Sequence, residues 1–169
     1  MKKVNIILND DRCIRLNIDT QTAPVSAENF INLCQNGFYE GLIFHRVIDK
    51  FMIQGGGFSI ENNELKQKDG VKNIIGEFSE NGLENNIKHE AGVISMARTN
   101  VKNSATSQFF ICVADCAFLD GKYAGFGKVA DEESLKVAID ISKVKTGHWM
   151  NYDDVPKEPI VIKRCIVEE

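Results

Sequence analysis

Residues 44–58 read Phe44-His45-Arg46-Val47-Ile48-Asp49-Lys50-Phe51-Met52-Ile53-Gln54-Gly55-Gly56-Gly57-Phe58. A permanently charged guanidinium, Arg46, stands a few residues from an apolar Phe51-Met52 pair and from the amide of Gln54. A packed interior has little use for that mixture, because burying an unpaired charge is costly. A cleft that grips an apolar ring and donates one strong hydrogen bond to it would use all of it, since arginine is a donor at every ordinary pH. A second segment has the same character. Alternation along residues 107–113 puts Gln108, Phe110 and Cys112 on one face and Phe109 with Ile111 on the other. Met52 and Gln54 likewise share a face, opposite Phe51 and Ile53. If the two amide-bearing faces meet, they make an apolar floor rimmed with hydrogen-bonding groups. Patterning alone leaves a plain core equally open, since Phe and Met on strands commonly build core and an Arg among them can pack its stem and keep its head in water.

Other chemistries find less support. His45, His89 and His148 lie far apart and lack a metal-ligand spacing. The five cysteines, Cys13, Cys34, Cys112, Cys116 and Cys165, are odd in number and scattered, which suits reduced thiols and not a disulfide framework. Cys112 and Cys116 have no second pair for zinc, and no local signature makes Cys112 a nucleophile with His45 or His89. The triple glycine 55–57 lacks the spacing of a nucleotide-binding loop and reads as permitting a bend or close backbone approach. The acidic pairs Asp10-Asp11, Glu132-Glu133 and Asp153-Asp154 sit at turns or helix starts and read as solvated. No metal or cofactor is expected.

The elements that must position these residues come next. A chain of 169 residues with 43% apolar and 26% charged content suits one globular domain, residues 1–169. A net charge of −4 supplies no bulk attraction for nucleic acid or an anionic membrane. No run approaches the ~18 apolar residues of a membrane span, and the apolar run at the N-terminus is too short and polar for a signal peptide, so a cytoplasmic protein is expected, and a monomer as the default for one small barrel without an evident exposed apolar stripe. Residues 3–8 and 12–18 read as a hairpin around Asn9-Asp10-Asp11. Residues 24–36 read as a helix, with Pro24 at its first position, Ala27, Phe30, Ile31 and Cys34 on one face and Gly37 ending it. Strands are expected at 42–48, 51–55, 92–97, 107–113, 124–129 and 160–166. A second helix fits 132–142, capped by Asp131, with Leu135, Ala138 and Ile139 on its inner face. Residues 59–90, rich in Asn, Glu and Lys, read as long surface loops with short ordered pieces. About eight strands and two helices suggest a mostly β, antiparallel barrel with helices over its ends, although closure does not follow from strand order.

Four segments, in order, are similar to those of the cyclophilins, the cyclosporin-binding class of peptidyl-prolyl cis–trans isomerases. They are residues 44–48 with Phe51-Met52-Ile53-Gln54-Gly55-Gly56, then Gly92-Val93-Ile94-Ser95-Met96-Ala97, then Ser107-Gln108-Phe109-Phe110-Ile111, then Phe118-Leu119-Asp120-Gly121-Lys122-Tyr123-Ala124-Gly125-Phe126-Gly127. Ala27-Glu28-Asn29-Phe30 also matches, and the resemblance spans residues 3–167. It implies a mostly β fold, a closed eight-stranded antiparallel β-barrel capped by two α-helices, with the proline site on its outside. It implies that Arg46 is the catalytic cation, that Gln54 orients it or the substrate backbone, and that Phe51, Met52, Phe110 and Leu119 line the proline pocket. His45, Ala97, Arg98, Thr99, Gln108, Phe118 and Tyr123 would lie along the peptide. The implied partners are X-Pro peptides and unfolded protein clients. Phe118 stands where many members have Trp and Tyr123 where they have His, and a Phe lacks the indole N–H, so weaker cyclosporin A binding is expected. Arg98-Thr99 replaces an Asn-Ala common in eukaryotic members, and Gly57 replaces a common Asp; Met96-Ala97-Arg98 and the 59–90 segment look bacterial. A non-enzymatic binder of proline peptides is the competing class, and an intact Arg46 favours the enzyme.

Overall fold

The computed structural model describes residues 1–169. In chain order its strands and helices are β1 (Lys2–Leu8), β2 (Cys13–Ile18), α1 (Pro24–Gln35), β3 (Arg46–Ile48), β4 (Met52–Gly55), β5 (Phe58–Glu61), β6 (Glu64–Gln67), β7 (Val93–Met96), β8 (Phe109–Cys112), β9 (Gly125–Val129), α2 (Glu132–Ser142), β10 (Thr146–Trp149), β11 (Tyr152–Pro156) and β12 (Ile162–Val167). Eight strands form one antiparallel sheet in the order β12-β1-β2-β9-β7-β8-β4-β3. No helix is long and apolar enough to cross a membrane.

The sheet curls into a barrel whose seam is looser than a full ladder. Its edge strands β3 and β12 are not paired; a single bridge, Ile43 with Val161, joins the segments beside them. Hydrogen bonds from Phe44 N–H to Ile160 O (3.0 Å) and Ile162 N–H to Leu42 O (2.8 Å) flank that bridge. Residues 42–45 therefore fall outside a regular strand, against the expectation of a strand over 42–48. Their backbone serves two neighbours at once, since Ile43 N–H donates to Phe58 O (2.9 Å) while Phe44 reaches Ile160.

Inside the curl, Phe30 of α1 meets Tyr39, Phe109 and Phe126, with ring centroids 5.3–5.5 Å apart. The alternation expected of β8 holds: Phe109 and Ile111 enter this core, while Phe110 and Cys112 enter a small cluster on the outer face. Gly56, at φ +87, turns the chain where a Cβ would lie 2.8 Å from the rings of Tyr39 and Phe109.

Helix α1 starts at Pro24, but its N-cap, Ala23, has no side chain to cap with. The buried carboxylate of Glu77 does so from 51 residues away, accepting from Ser26 N–H (2.6 Å), Ser26 Oγ (2.7 Å) and Val25 N–H (3.2 Å). The expected loop 59–90 thus also anchors a helix, and it contains the β5–β6 hairpin. A second small hairpin, β10–β11, lies within residues 143–159, for which the sequence reading gives no element. In α2, Asp131 accepts from Ser134 N–H (2.7 Å) as expected. The buried face is Ser134, Ala138 and Ile141, with Leu135 and Ile139 only half-buried. The helix is rotated because Ser134 Oγ accepts from Arg15 N–H (2.8 Å) and pins that side to β2.

Candidate active site

The register of the curled sheet sets one wall of an outer cleft. Arg46 lies opposite Gln54, and Gln54 opposite Phe110, so cation, amide and aromatic ring form a row across β3, β4 and β8. Met52 joins them from two residues along β4, on the same face as Gln54. The cleft has a cavity of about 160 Å³ lined by Arg46, Phe51, Met52, Gln54, Ala97, Arg98, Phe110, Leu119 and Tyr123. Strand alternation had assigned Phe51 to the opposite face from Met52. It lines the same cleft because it ends the turn Ile48–Phe51, where Phe51 N–H donates to Ile48 O (3.1 Å) and alternation has not begun.

Two aromatic pairs set the cleft's rim. Tyr123 meets Phe110 edge-on at 5.7 Å, and Phe118, 65% exposed, lies over Phe51 at 5.6 Å. Arg46 Nη1 donates to Gln54 Oε1 (3.3 Å), and Gln54 Nε2 donates to Gln108 Oε1 (3.0 Å). Gln108 borders a second, polar cavity of about 280 Å³, which shares Gln54, Ala97 and Arg98 with the first and adds Gln67, Thr99, Ser104 and Thr106. Gly57 has a local reason: a Cβ there would lie 2.5 Å from Gln108 Cγ and Nε2, so a side chain would displace that amide.

Beneath the pocket lies a group whose role sequence reasoning missed. His89, buried, stacks on Phe110 at 6.1 Å and 19°. Its Nδ1 meets Asp120 Oδ1 (2.9 Å) and its Nε2 meets Ser95 Oγ (2.9 Å). Burial lowers the His89 pKa, partly opposed by the hydrogen bond and charge of Asp120. Burial alone would raise the Asp120 pKa, but the His89 backbone and ring N–H hold it below the usual value. One imidazole thereby ties together Phe110, Ser95 of β7 and the turn that carries Leu119. Three of the four segments that carry the sequence resemblance meet this ring, through Ser95, Phe110 and Asp120, yet nothing in their spacing announces it.

Of the expected site residues, His45 stands apart. Its ring is buried against Phe58 at 4.6 Å and lines neither cavity, because it precedes β3 on the side opposite Arg46. Its Nδ1 is the buried side-chain nitrogen with no hydrogen-bond partner, and burial, then the Arg46 charge, lower its pKa to about 4. Cys112 and Cys116 lie behind the pocket with Met52, Phe110 and Leu119, both thiols raised in pKa by burial.

The description "Cyclophilin type peptidyl-prolyl cis-trans isomerase/CLD" belongs to the family model that matches residues 3–167. Peptidyl-prolyl cis-trans isomerase A of Dickeya dadantii is 50% identical over 155 residues, spanning 89% of this chain and 76% of that protein. Peptidyl-prolyl cis-trans isomerase B of Escherichia coli is 40% identical over 155 residues, spanning 87% and 88%. A crystal structure of a cyclophilin type peptidyl-prolyl cis-trans isomerase of Cryptosporidium parvum, in the presence of the dipeptide Ala-Pro, superposes with a TM-score of 0.76 over 99% of each chain at 26% identity.

Proposed function

The chain belongs to the cyclophilin-type peptidyl-prolyl cis–trans isomerase family, and from that premise we propose that its cleft isomerises X-Pro peptide bonds with Arg46 as the group that stabilises the twisted state. The uncatalysed reaction is slow because rotation breaks amide resonance, at a barrier of ~18–20 kcal/mol. No covalent bond is made or broken, so neither nucleophile nor metal is needed. As the bond twists, the prolyl nitrogen recovers its lone pair and becomes an acceptor, which it is not when planar. A guanidinium donor placed there makes a bond that exists mainly in the transition state, the condition for raising the rate.

The observation that carries this reading is the position of Arg46. It sits at the edge of the apolar pocket of Phe51, Met52, Phe110 and Leu119, held by Gln54 at 3.3 Å through one of its five N–H groups, with the others free. A hydrogen bond to a charged group is worth about 1.5–3 kcal/mol, or roughly ten- to a hundredfold in rate. The rest comes from the pocket. The planar amide is the more polar state, so dry surroundings disfavour it, and an anchored proline ring holds one side of the bond while the other rotates.

Gln54 keeps the guanidinium aimed and Gln108 keeps Gln54 aimed, while Ala97, Arg98, Thr99 and Tyr123 flank the bound peptide and Phe118 covers the Phe51 edge. Unfolded proteins with accessible X-Pro bonds are the natural clients of such an open cleft. The test is cis-to-trans exchange of an Ala-Ala-Pro-Phe peptide with wild type and Arg46→Ala. Folded wild type should accelerate exchange, and the variant should lose about ten- to a hundredfold in kcat/KM, with KM changing less than kcat. Equal turnover by the two proteins would remove Arg46 from the mechanism.

A further inference from the structure

Arginine can only donate hydrogen bonds, and that fixes the direction of the chain leading away from Arg46. Arg46 donates to the oxygen of Gln54, so Gln54 turns its nitrogen to Gln108 and donates to that oxygen. The unspent end of the chain is therefore the NH₂ of Gln108, which lies beside Gly57, and Gln108 lines the polar cavity of about 280 Å³. Arg98 borders the same cavity. Its Nε and Nη2 donate to Lys122 O (3.0 and 2.6 Å) and its Nη1 to Thr99 O (2.9 Å). The guanidinium is clamped between Phe78 (4.8 Å) and Tyr123 (4.7 Å). Three of its five N–H groups are used, and two remain, one on each Nη.

Of the hydroxyls nearby, those of Thr99 and Ser104 are already engaged with each other and with the backbone, while the Gln67 amide and the Thr106 hydroxyl also line the cavity. Thr99 Oγ1 donates to Ser104 Oγ (2.8 Å) and accepts from Val101 N–H (3.2 Å), while Ser104 Oγ donates to Val101 O (2.6 Å) and accepts from Thr99 N–H (2.9 Å). No carboxylate lines either cavity, although the chain as a whole carries −4. The cleft is a cationic, donor-rich place on an acidic protein. We propose that the polar cavity is a subsite for an acidic side chain of the substrate, Asp or Glu near the X-Pro bond, received by Arg98 and by the amide N–H groups of Gln108. This rests on the isomerase reading above and narrows its substrate class. Charge-assisted hydrogen bonds are shorter and stronger than neutral ones, so a carboxylate is favoured over the isosteric amide, and a lysine ammonium is repelled.

The experiment is a kcat/KM scan over peptides carrying Glu, Gln or Lys at each position flanking a central Ala-Pro, with all-Ala Ala-Pro as reference. At one position Glu should exceed Gln by about three- to fivefold at low ionic strength, the scale of a partly exposed ion pair. The ratio should shrink toward one in about 0.5 M salt. Arg98→Gln should abolish the preference, and Gln108→Glu should invert it in favour of Lys. Should Arg98→Gln fail to fold, Gln108→Glu and the salt series decide. Glu no better than Gln at every position, with the reference peptide turned over normally, overturns the acidic subsite and leaves the isomerase reading intact. No turnover of the reference by folded wild type overturns both.

Discussion

Replacing His45 with Leu should flatten the acid limb of the protein's stability. His45 is 5% exposed, its Nδ1 has no partner, and its pKa falls from 6.5 to about 4. A histidine with a depressed folded-state value takes up its proton later than the unfolded chain does. Stability is therefore fully present above the unfolded value near 6.5, falls as pH drops, and levels off below about 4. Integrating that linkage, His45 removes about 2 kcal/mol of stability between pH 8 and pH 5 and about 3 kcal/mol by pH 4. At pH 8 two effects oppose: Leu deletes an unpaired buried ring nitrogen, worth about 1 kcal/mol or more, but fits the space against Phe58 less well, at up to about 1.5 kcal/mol. The level at pH 8 is therefore uninformative and the slope is the test. The chain has one tryptophan, Trp149, packed beside the cluster of Ile43, Phe58, Leu65 and Val155, so urea unfolding can be followed by its fluorescence. With a slope of about 2 kcal/mol per molar urea, the wild-type midpoint should drop by about 1 M more than that of His45→Leu between pH 8 and pH 5. His89 and the paired carboxylates are common to both proteins and cancel in the difference. Parallel pH profiles would refute the assignment of a neutral, buried His45.

Two further outcomes follow. Glu77→Gln should destabilise by about 1–2 kcal/mol in urea unfolding, because it removes the charge at the start of α1 and replaces the oxygen facing Val25 N–H with a second donor; unchanged stability would mean that Glu77 is not the cap. Phe118→Trp, by adding an indole donor at the exposed rim, should tighten any cyclosporin A binding by about five- to tenfold in a titration against wild type, and an unchanged affinity or no binding by either protein would separate the rim from that ligand.

Much of the outer cleft was legible one strand at a time. Period-2 alternation sent Phe109 inward and Phe110 outward on β8, while the mixture of Arg46, Met52 and Gln54 left cleft and core equally open until the motifs were taken together. Pro24, Gly37 and Asp131 announced helix ends because capping acts within a few residues. Order and spacing of the motifs sufficed for the family, since fifteen consecutive residues already carry cation, amide, pocket side chains and glycine bend.

The remainder depended on contacts between residues distant in the chain, and local rules have no access to those. Glu77 caps a helix 51 residues upstream; His89 reaches Asp120 and Ser95 only once the sheet has curled. The direction of the Arg46–Gln54–Gln108 chain, and with it the donor left facing the polar cavity, exists only after β3, β4 and the start of β8 are in register. His45 shares the most telling motif with Arg46, but the seam of the barrel turns it to the opposite side. Side-chain type and period are properties of the sequence; which unspent donors face one another across a cleft is decided by long-range pairing, where one residue of register separates a site from a core.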